Sequence, residues 1–329
     1  RLKNAYQKGD PHPFNPNWTL NSYGYDEALR LGAERIGWSS RAPAGSSPGV
    51  RKRGIGVGTQ GIWVSGCMGF PDIYEHTGAI IKLNRDGSAD ISSGTVDIGS
   101  GQIATLCQIA AAELGVGMDK VRMVYADTDT VPFDAPTHAS RGTYSSGLAV
   151  KAAAAQVRKR VFEIAAGLME ANPDDLDISN GQVDVKGSPD SARPLTDIIH
   201  IAESPFILDT EQGPRPSLPP DHKGTIIGSS SLAPPENPSP ATALFVEVEV
   251  DTETGQVAVL RCVYAHDLGR LINPNAAQGQ VEGGMQQGIG YALMENLVFD
   301  PDTGACLSAD FLDYKMPTAV EMPRVIESI

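Results

Sequence analysis

Apolar and polar residues alternate with period two over Leu244-Phe245-Val246-Glu247-Val248-Glu249-Val250, the pattern of a strand with one face buried. The turn Asp251-Thr252-Glu253-Thr254-Gly255 follows, and residues 256–264 read as the returning strand of a hairpin. The chain then passes Asp267-Leu268-Gly269 and Asn273-Pro274 and enters a predicted helix near Asn275 that carries Gly279-Gln280-Val281-Glu282-Gly283-Gly284. An earlier stretch repeats this order. Residues 79–83 and 89–93 are predicted strands around the turn at 84–88, and the loop Asp97-Ile98-Gly99-Ser100-Gly101 opens a helix running to about Leu114. The expected fold class is therefore α+β, built from two related mixed α/β units, each a hairpin, a glycine loop and a helix.

Between the repeats, residues 119–125 predict a strand, 126–142 a long loop and 143–168 an Ala-rich helix. Residues 54–68 predict buried strands, from the small and β-branched residues of Gly54-Ile55-Gly56-Val57-Gly58 and Ile62-Trp63-Val64. Four stretches follow from this. Residues 1–50 are a connecting segment with one helical pattern at 26–34, 51–202 a first half and 241–329 a second half. Residues 203–240 are a Pro/Ser-rich crossover, because a run such as Pro234-Pro235-Glu236-Asn237-Pro238-Ser239 cannot sustain regular hydrogen bonding.

Composition narrows the function classes. The 329 residues carry a net charge of −14, and no basic cluster is longer than Arg51-Lys52-Arg53, which argues against a phosphate backbone as partner. No apolar run approaches the roughly 20 residues that cross a bilayer, so no membrane partner is expected. Cys67, Cys107, Cys262 and Cys306 are widely spaced, without a metal-binding pair, and read as small apolar residues in a reducing compartment. A cytoplasmic location is the corresponding expectation.

Three places carry candidate chemistry. Gly99-Ser100-Gly101 at a helix start would present backbone N–H groups and the positive end of a helix dipole to an anion, or be a plain turn. Thr137-His138-Ala139-Ser140-Arg141-Gly142 sets hydroxyls, an Arg and a Gly before a long helix, which suits a phosphate or diphosphate, or a capped helix start with a surface Arg. Gln280 sits on a helix whose face is otherwise small, with Gly279, Gly283, Gly284, Gly288 and Gly290, so something bulky is expected against it, either a ligand or neighbouring backbone. His138 and His266 are lone histidines without a second ligand at metal spacing. Asp127 and Asp129 read as turn chemistry. Glu282 and Glu295 are thirteen positions apart in the helix, too far for a paired acid and base.

These motifs, in this order, resemble the C-terminal part of the large subunit of molybdenum hydroxylases of the xanthine dehydrogenase and aldehyde oxidase family. The resemblance runs from Arg1-Leu2-Lys3-Asn4 to Asp313-Tyr314-Lys315-Met316-Pro317-Thr318 and is most specific at Ala277-Gln278-Gly279-Gln280-Val281-Glu282-Gly283. It implies a molybdenum–molybdopterin cofactor, as its cytosine dinucleotide, held by this chain and an upstream molybdopterin domain or subunit. Ile98, Gly99, Ser100 and Gly101 would bind the cofactor, Thr137, His138 and Ala139 would pass near the molybdenum, Ser140, Arg141 and Gly142 would hold phosphates or nucleotide, and Gln280 would hydrogen-bond the pterin. The implied activity is hydroxylation of an electron-poor carbon of a small N-heterocycle or aldehyde with water as oxygen source. Electrons would leave through [2Fe–2S] and FAD groups on partner subunits. The alternatives are reductive dehydroxylation of an aromatic CoA thioester, and a non-catalytic scaffold subunit. The sequence departs from the family at Ser100, where many relatives have Gln, at His138, where xanthine-type members have a small residue, and around Gly66, Cys67 and Met68, where they place a stacking Phe. It also ends before the segment that holds the family's catalytic Glu, so no catalytic residue is assigned.

Overall fold

The structure is a computed structural model that describes all residues except 14, 44, 61–74, 204–208, 211–212, 215–217 and 237. The chain forms two compact units, one of Arg1–Trp63 with Pro238–Ile329 and one of Val64–Asn237.

The first unit opens with a short hairpin, β1 (Pro11–His12) and β2 (Asn15–Thr19), then α1 (Tyr25–Ile36) and β3 (Arg51–Gln60). In the second unit come β4 (Thr77–Leu83), β5 (Ala89–Ser93), α2 (Gln102–Leu114), β6 (Val121–Tyr125) and α3 (Gly147–Met169). They are followed by β7 (Leu176–Ser179), β8 (Gln182–Val185), β9 (Ser188–Pro194), α4 (Leu195–Glu203), the two-residue strands β10 (Asp209–Thr210) and β11 (Gly213–Pro214), and β12 (Ile227–Leu232). The chain returns to the first unit with β13 (Ala241–Asp251), β14 (Val257–Asp267), α5 (Pro274–Leu293) and β15 (Val325–Ser328).

The expected repeat extends to sheet topology. In the second unit the sheet order is β12-β4-β5-β6, in the first β15-β14-β13-β3. Each contains a central antiparallel hairpin, β4–β5 or β13–β14, with an antiparallel neighbour on one side. On the other side lies a parallel strand, reached through the helix that follows the hairpin.

Side-chain alternation accounts for the first unit's layers. Ala241, Ala243 and Phe245 of β13 pack with Tyr25, Ala28 and Leu29 of α1, while Leu244 and Val246 pack with Val281 and Met285 of α5. Part of the expected connecting segment is thus a layer of this unit. β3 corrects the expectation of buried strands at 54–68: none of its residues is buried, because it is an edge strand with one neighbour. The predicted strand at 62–64, and Gly66, Cys67 and Met68, lie outside the described residues.

In the second unit, Ile81, Leu83 and Ile91 of the sheet pack against Leu106 and Leu114 of α2, and Val157, Val161 and Ile164 of α3 complete the core. The expected crossover at 203–240 includes a paired strand, β12, whose Gly228 lies so close to α3 that a Cβ there would sit 2.2 Å from the Ala153 carbonyl oxygen. The predicted helix at 143–168 begins as one π-helical turn, Gly142–Ser146, before α3.

Candidate functional site

Two of the segments singled out in the sequence meet in the second unit at the start of α2. Past β5 the chain turns at Asp97, whose carboxylate accepts hydrogen bonds from the Gly99 N–H at 2.9 Å and the Ile103 N–H at 3.4 Å. Part of the positive end of α2 is therefore satisfied by the chain's own carboxylate. Among the described residues the amides of Ser100, Gly101 and Gln102 meet no partner. The loop is open to the outside: Ile98 is 69% exposed, and a Cβ built on Gly99 would meet nothing within 4 Å.

The second segment touches the first through Gly142. A Cβ at Gly142 would lie 2.6 Å from the Gln102 Oε1, so the turn packs directly on the side chain of the first residue of α2. Gln102 is buried, and its Nε2 has no partner. Just upstream, Ala139 (φ 47°) and Ser140 (φ 56°) adopt the left-handed conformation that costs a non-glycine residue roughly 1 kcal/mol or more. Arg141 returns to the right-handed region and its N–H donates to the His138 carbonyl at 3.0 Å. A left-handed residue followed by a right-handed one turns successive amides toward one side, and of these the Arg141 amide is spent on the His138 carbonyl. Thr137, His138 and Ala139 are half-buried, and Ser140 and Thr143 are exposed.

The Arg141 side chain departs from the expectation of a phosphate grip. It is 1% exposed. Its Nη1 donates to the Ala135 carbonyl at 2.7 Å and Asp134 Oδ1 at 3.2 Å, and its Nη2 to Thr77 Oγ1 at 2.7 Å and the Glu75 carbonyl at 3.4 Å. Its Nε lies 3.7 Å from Glu75 Oε2. The guanidinium is a buried tie inside the fold, because two buried carboxylates need it. Asp134 also accepts from Thr77 Oγ1 and Thr95 Oγ1, each at 2.6 Å. The other Glu75 oxygen pairs with His138 Nε2 at 2.7 Å. Glu75, Asp134 and Gln102 went unread in the sequence, since no motif marks them and Glu75 lies 66 positions from its partner Arg141.

Gln280 belongs to the first unit. α5 is capped by Asn273, whose Oδ1 accepts from the Ala276 N–H at 3.1 Å, and Pro274 occupies its first turn. One face of α5 is buried by Val281, Met285 and Ile289. On the other side Gln280 is exposed, and Cβ atoms added at Gly279, Gly283, Gly284 or Gly288 would meet nothing within 4 Å. The bulky neighbour expected there is not supplied by the described residues of this chain. Gly290 differs, being met by Glu295 and Pro317. Glu295 itself lies beyond the end of α5, contrary to its expected place in the helix, and accepts from the Tyr314 hydroxyl at 2.6 Å.

The residues at 127–131 form a turn, with Asp127 Oδ1 accepting from the Asp129 N–H at 3.1 Å. Among the described residues no group of three or more His, Cys, Asp or Glu side chains is arranged to hold a metal ion. The free amides at the start of α2 suit the phosphates of a ligand that brings its own metal donors; the first unit separately offers an exposed amide side chain, Gln280, on an uncovered glycine face.

Residues 31–323 match the model of the molybdopterin cofactor-binding domain. The chain is 31% identical over 331 residues to the xanthine dehydrogenase molybdenum-binding subunit of Escherichia coli O157:H7, covering 99% of this chain and 41% of that protein. It is 28% identical to the carbon monoxide dehydrogenase large chain of Afipia carboxidovorans, covering 98% of this chain and 40% of that one. Quinoline 2-oxidoreductase from Pseudomonas putida 86 superimposes with a TM-score of 0.80 at 26% identity, over 95% of this chain and 39% of its own. The chain thus spans about two fifths of the length of the relatives it matches. It belongs to the molybdopterin cofactor-binding domain family, of the xanthine dehydrogenase and carbon monoxide dehydrogenase type.

Proposed function

We propose that this chain is the C-terminal part of the large subunit of a molybdenum hydroxylase and that it holds molybdopterin as its cytosine dinucleotide. In the second unit, the free amides of Ser100, Gly101 and Gln102 and the turn from Thr137 to Gly142 bind the phosphates and pass beside the metal. Arg141 holds the turn in shape rather than touching the phosphates, since its guanidinium and its main-chain N–H are already engaged. In the first unit, Gln280 hydrogen-bonds the pterin on the uncovered face of α5. When bound, the cofactor supplies two-electron redox chemistry that hydroxylates an electron-poor carbon of an N-heterocycle or aldehyde with oxygen from water. The chain's own residues bind and orient that group. Partner subunits would carry the [2Fe–2S] and FAD groups that accept the electrons, and an upstream molybdopterin domain would complete the pocket, in a cytoplasmic complex.

The observation that most supports this reading is the contact of Gly142 with Gln102, which sets an anion-binding turn against a helix start with unpartnered amides. Replacing Gln280 with Leu in the complete complex leaves a pterin donor or acceptor unpaired at about 1–3 kcal/mol and lowers molybdenum retention. Unchanged molybdenum content and activity in Q280L would count against the role of α5.

A further inference from the structure

We propose that Gln102 is a cofactor-binding residue whose carboxamide donates a hydrogen bond to a phosphate oxygen held at the start of α2. The inference rests on the reading of this loop and of residues 137–142 as the place where the phosphates of the dinucleotide lie.

Gln102 is buried without being satisfied. It is 5% exposed and its Nε2 is sealed from solvent. Among the described residues neither that nitrogen nor the main-chain N–H of Gln102 has a partner. A primary amide carries two N–H donors, and folded interiors rarely leave such a group unpaired. In the polar cluster around Arg141 the opposite holds: Thr77, Thr95, Ser146 and Arg141 itself are all hydrogen-bonded.

Position in the helix sets where the amide points. Gln102 is the first residue of α2, and the Cα–Cβ bond of a helical residue leans toward the helix N-terminus. That is the end at which the Ser100 and Gly101 amides are also free. From the other segment Gly142 presses on the carboxamide: a Cβ there would lie 2.6 Å from Oε1, 2.9 Å from Cδ and 3.3 Å from Nε2. The amide therefore sits in the seam between the two segments. The Asp97 carboxylate, which takes the Gly99 and Ile103 N–H groups, does not take this one. What the seam lacks is an acceptor. Three unpartnered main-chain N–H groups and the positive end of a helix dipole select an anionic oxygen for that place, and the Gln102 Nε2 adds a directed side-chain donor to them.

The test compares Q102M with wild type as complete complexes, because Met keeps the length of the side chain and loses the donor. Cofactor release is followed as molybdenum and cytidine monophosphate lost during dialysis. Q102M loses both about ten-fold faster or more, the size of one hydrogen bond to a charged group. Q102E, equal in shape but negatively charged beside the phosphates, loses them at least as fast as Q102M. Complexes made in cells unable to synthesise molybdopterin give a second readout. Without cofactor, the urea midpoint of Q102M equals or exceeds that of wild type, since an unpaired buried amide has been removed. Release from Q102M within about two-fold of wild type overturns the inference. A lower urea midpoint of cofactor-free Q102M also overturns it, by making Gln102 part of the fold rather than of the site. A wild-type complex with neither molybdenum nor cytidine sinks the reading of the site, and the inference with it.

Discussion

Arg141 shows how one residue's environment overrides its chemical type. Exposed, its guanidinium would be a planar phosphate grip; buried, it neutralises Glu75 and Asp134 and ties three separate stretches of chain together. Arg141→Met leaves two buried carboxylates without a counter-charge and destabilises the second unit by about 3–5 kcal/mol. Urea unfolding of the cofactor-free protein measures this, and an unchanged midpoint would return Arg141 to the role of a surface ligand. His266 is a second case. Burial holds its pKa down to about 4 from 6.5, its ring lies 3.8 Å from that of Tyr264 centroid to centroid, and its Nε2 has no partner. The unfolded chain takes up this proton first, so the first unit loses stability as pH falls from about 6.5 to about 4 and holds it above that window. His266→Phe flattens this part of the acid limb; a urea midpoint that drops equally between pH 7 and pH 5 in wild type and variant would contradict it.

At the scale of elements, close backbone approach is the feature most exposed to substitution. β12 lies on α3 at Gly228, and the carbonyl of Ala153 stands where a side chain would begin. Gly228→Ala forces the strand off the helix and costs about 1–3 kcal/mol, measurable as a lower thermal midpoint of the second unit. Much of this architecture was legible. The alternation of β13 and the repeated hairpin, glycine loop and helix predicted both central hairpins and the helices after them, since local pattern decides which face of a strand is buried. β12 was hidden because Ile227-Gly228-Ser229-Ser230-Ser231-Leu232 looks like a linker, and only packing on α3 makes it a strand. β3 read as buried because alternating glycines resemble a tightly packed core, whereas it is a sheet edge. At the site, the glycine loops were visible as motifs. The burial of Arg141 was not, because Glu75 lies 66 positions away and no local signal links the two.

For the whole molecule, the exposed glycine face of α5 and the free amides at α2 are surfaces that the described residues leave uncovered. Expressed by itself, the chain retains no cofactor through gel filtration if, as proposed, an upstream molybdopterin domain supplies the rest of the pocket; an isolated chain that stays fully loaded would contradict that division. The central claim is that backbone amides and Gln280 of this chain hold a molybdopterin dinucleotide. Elemental and nucleotide analysis of the purified complete complex tests it most directly. The account predicts about one molybdenum and one cytidine monophosphate released per copy of this chain, and less than about a tenth of an equivalent of either would contradict it.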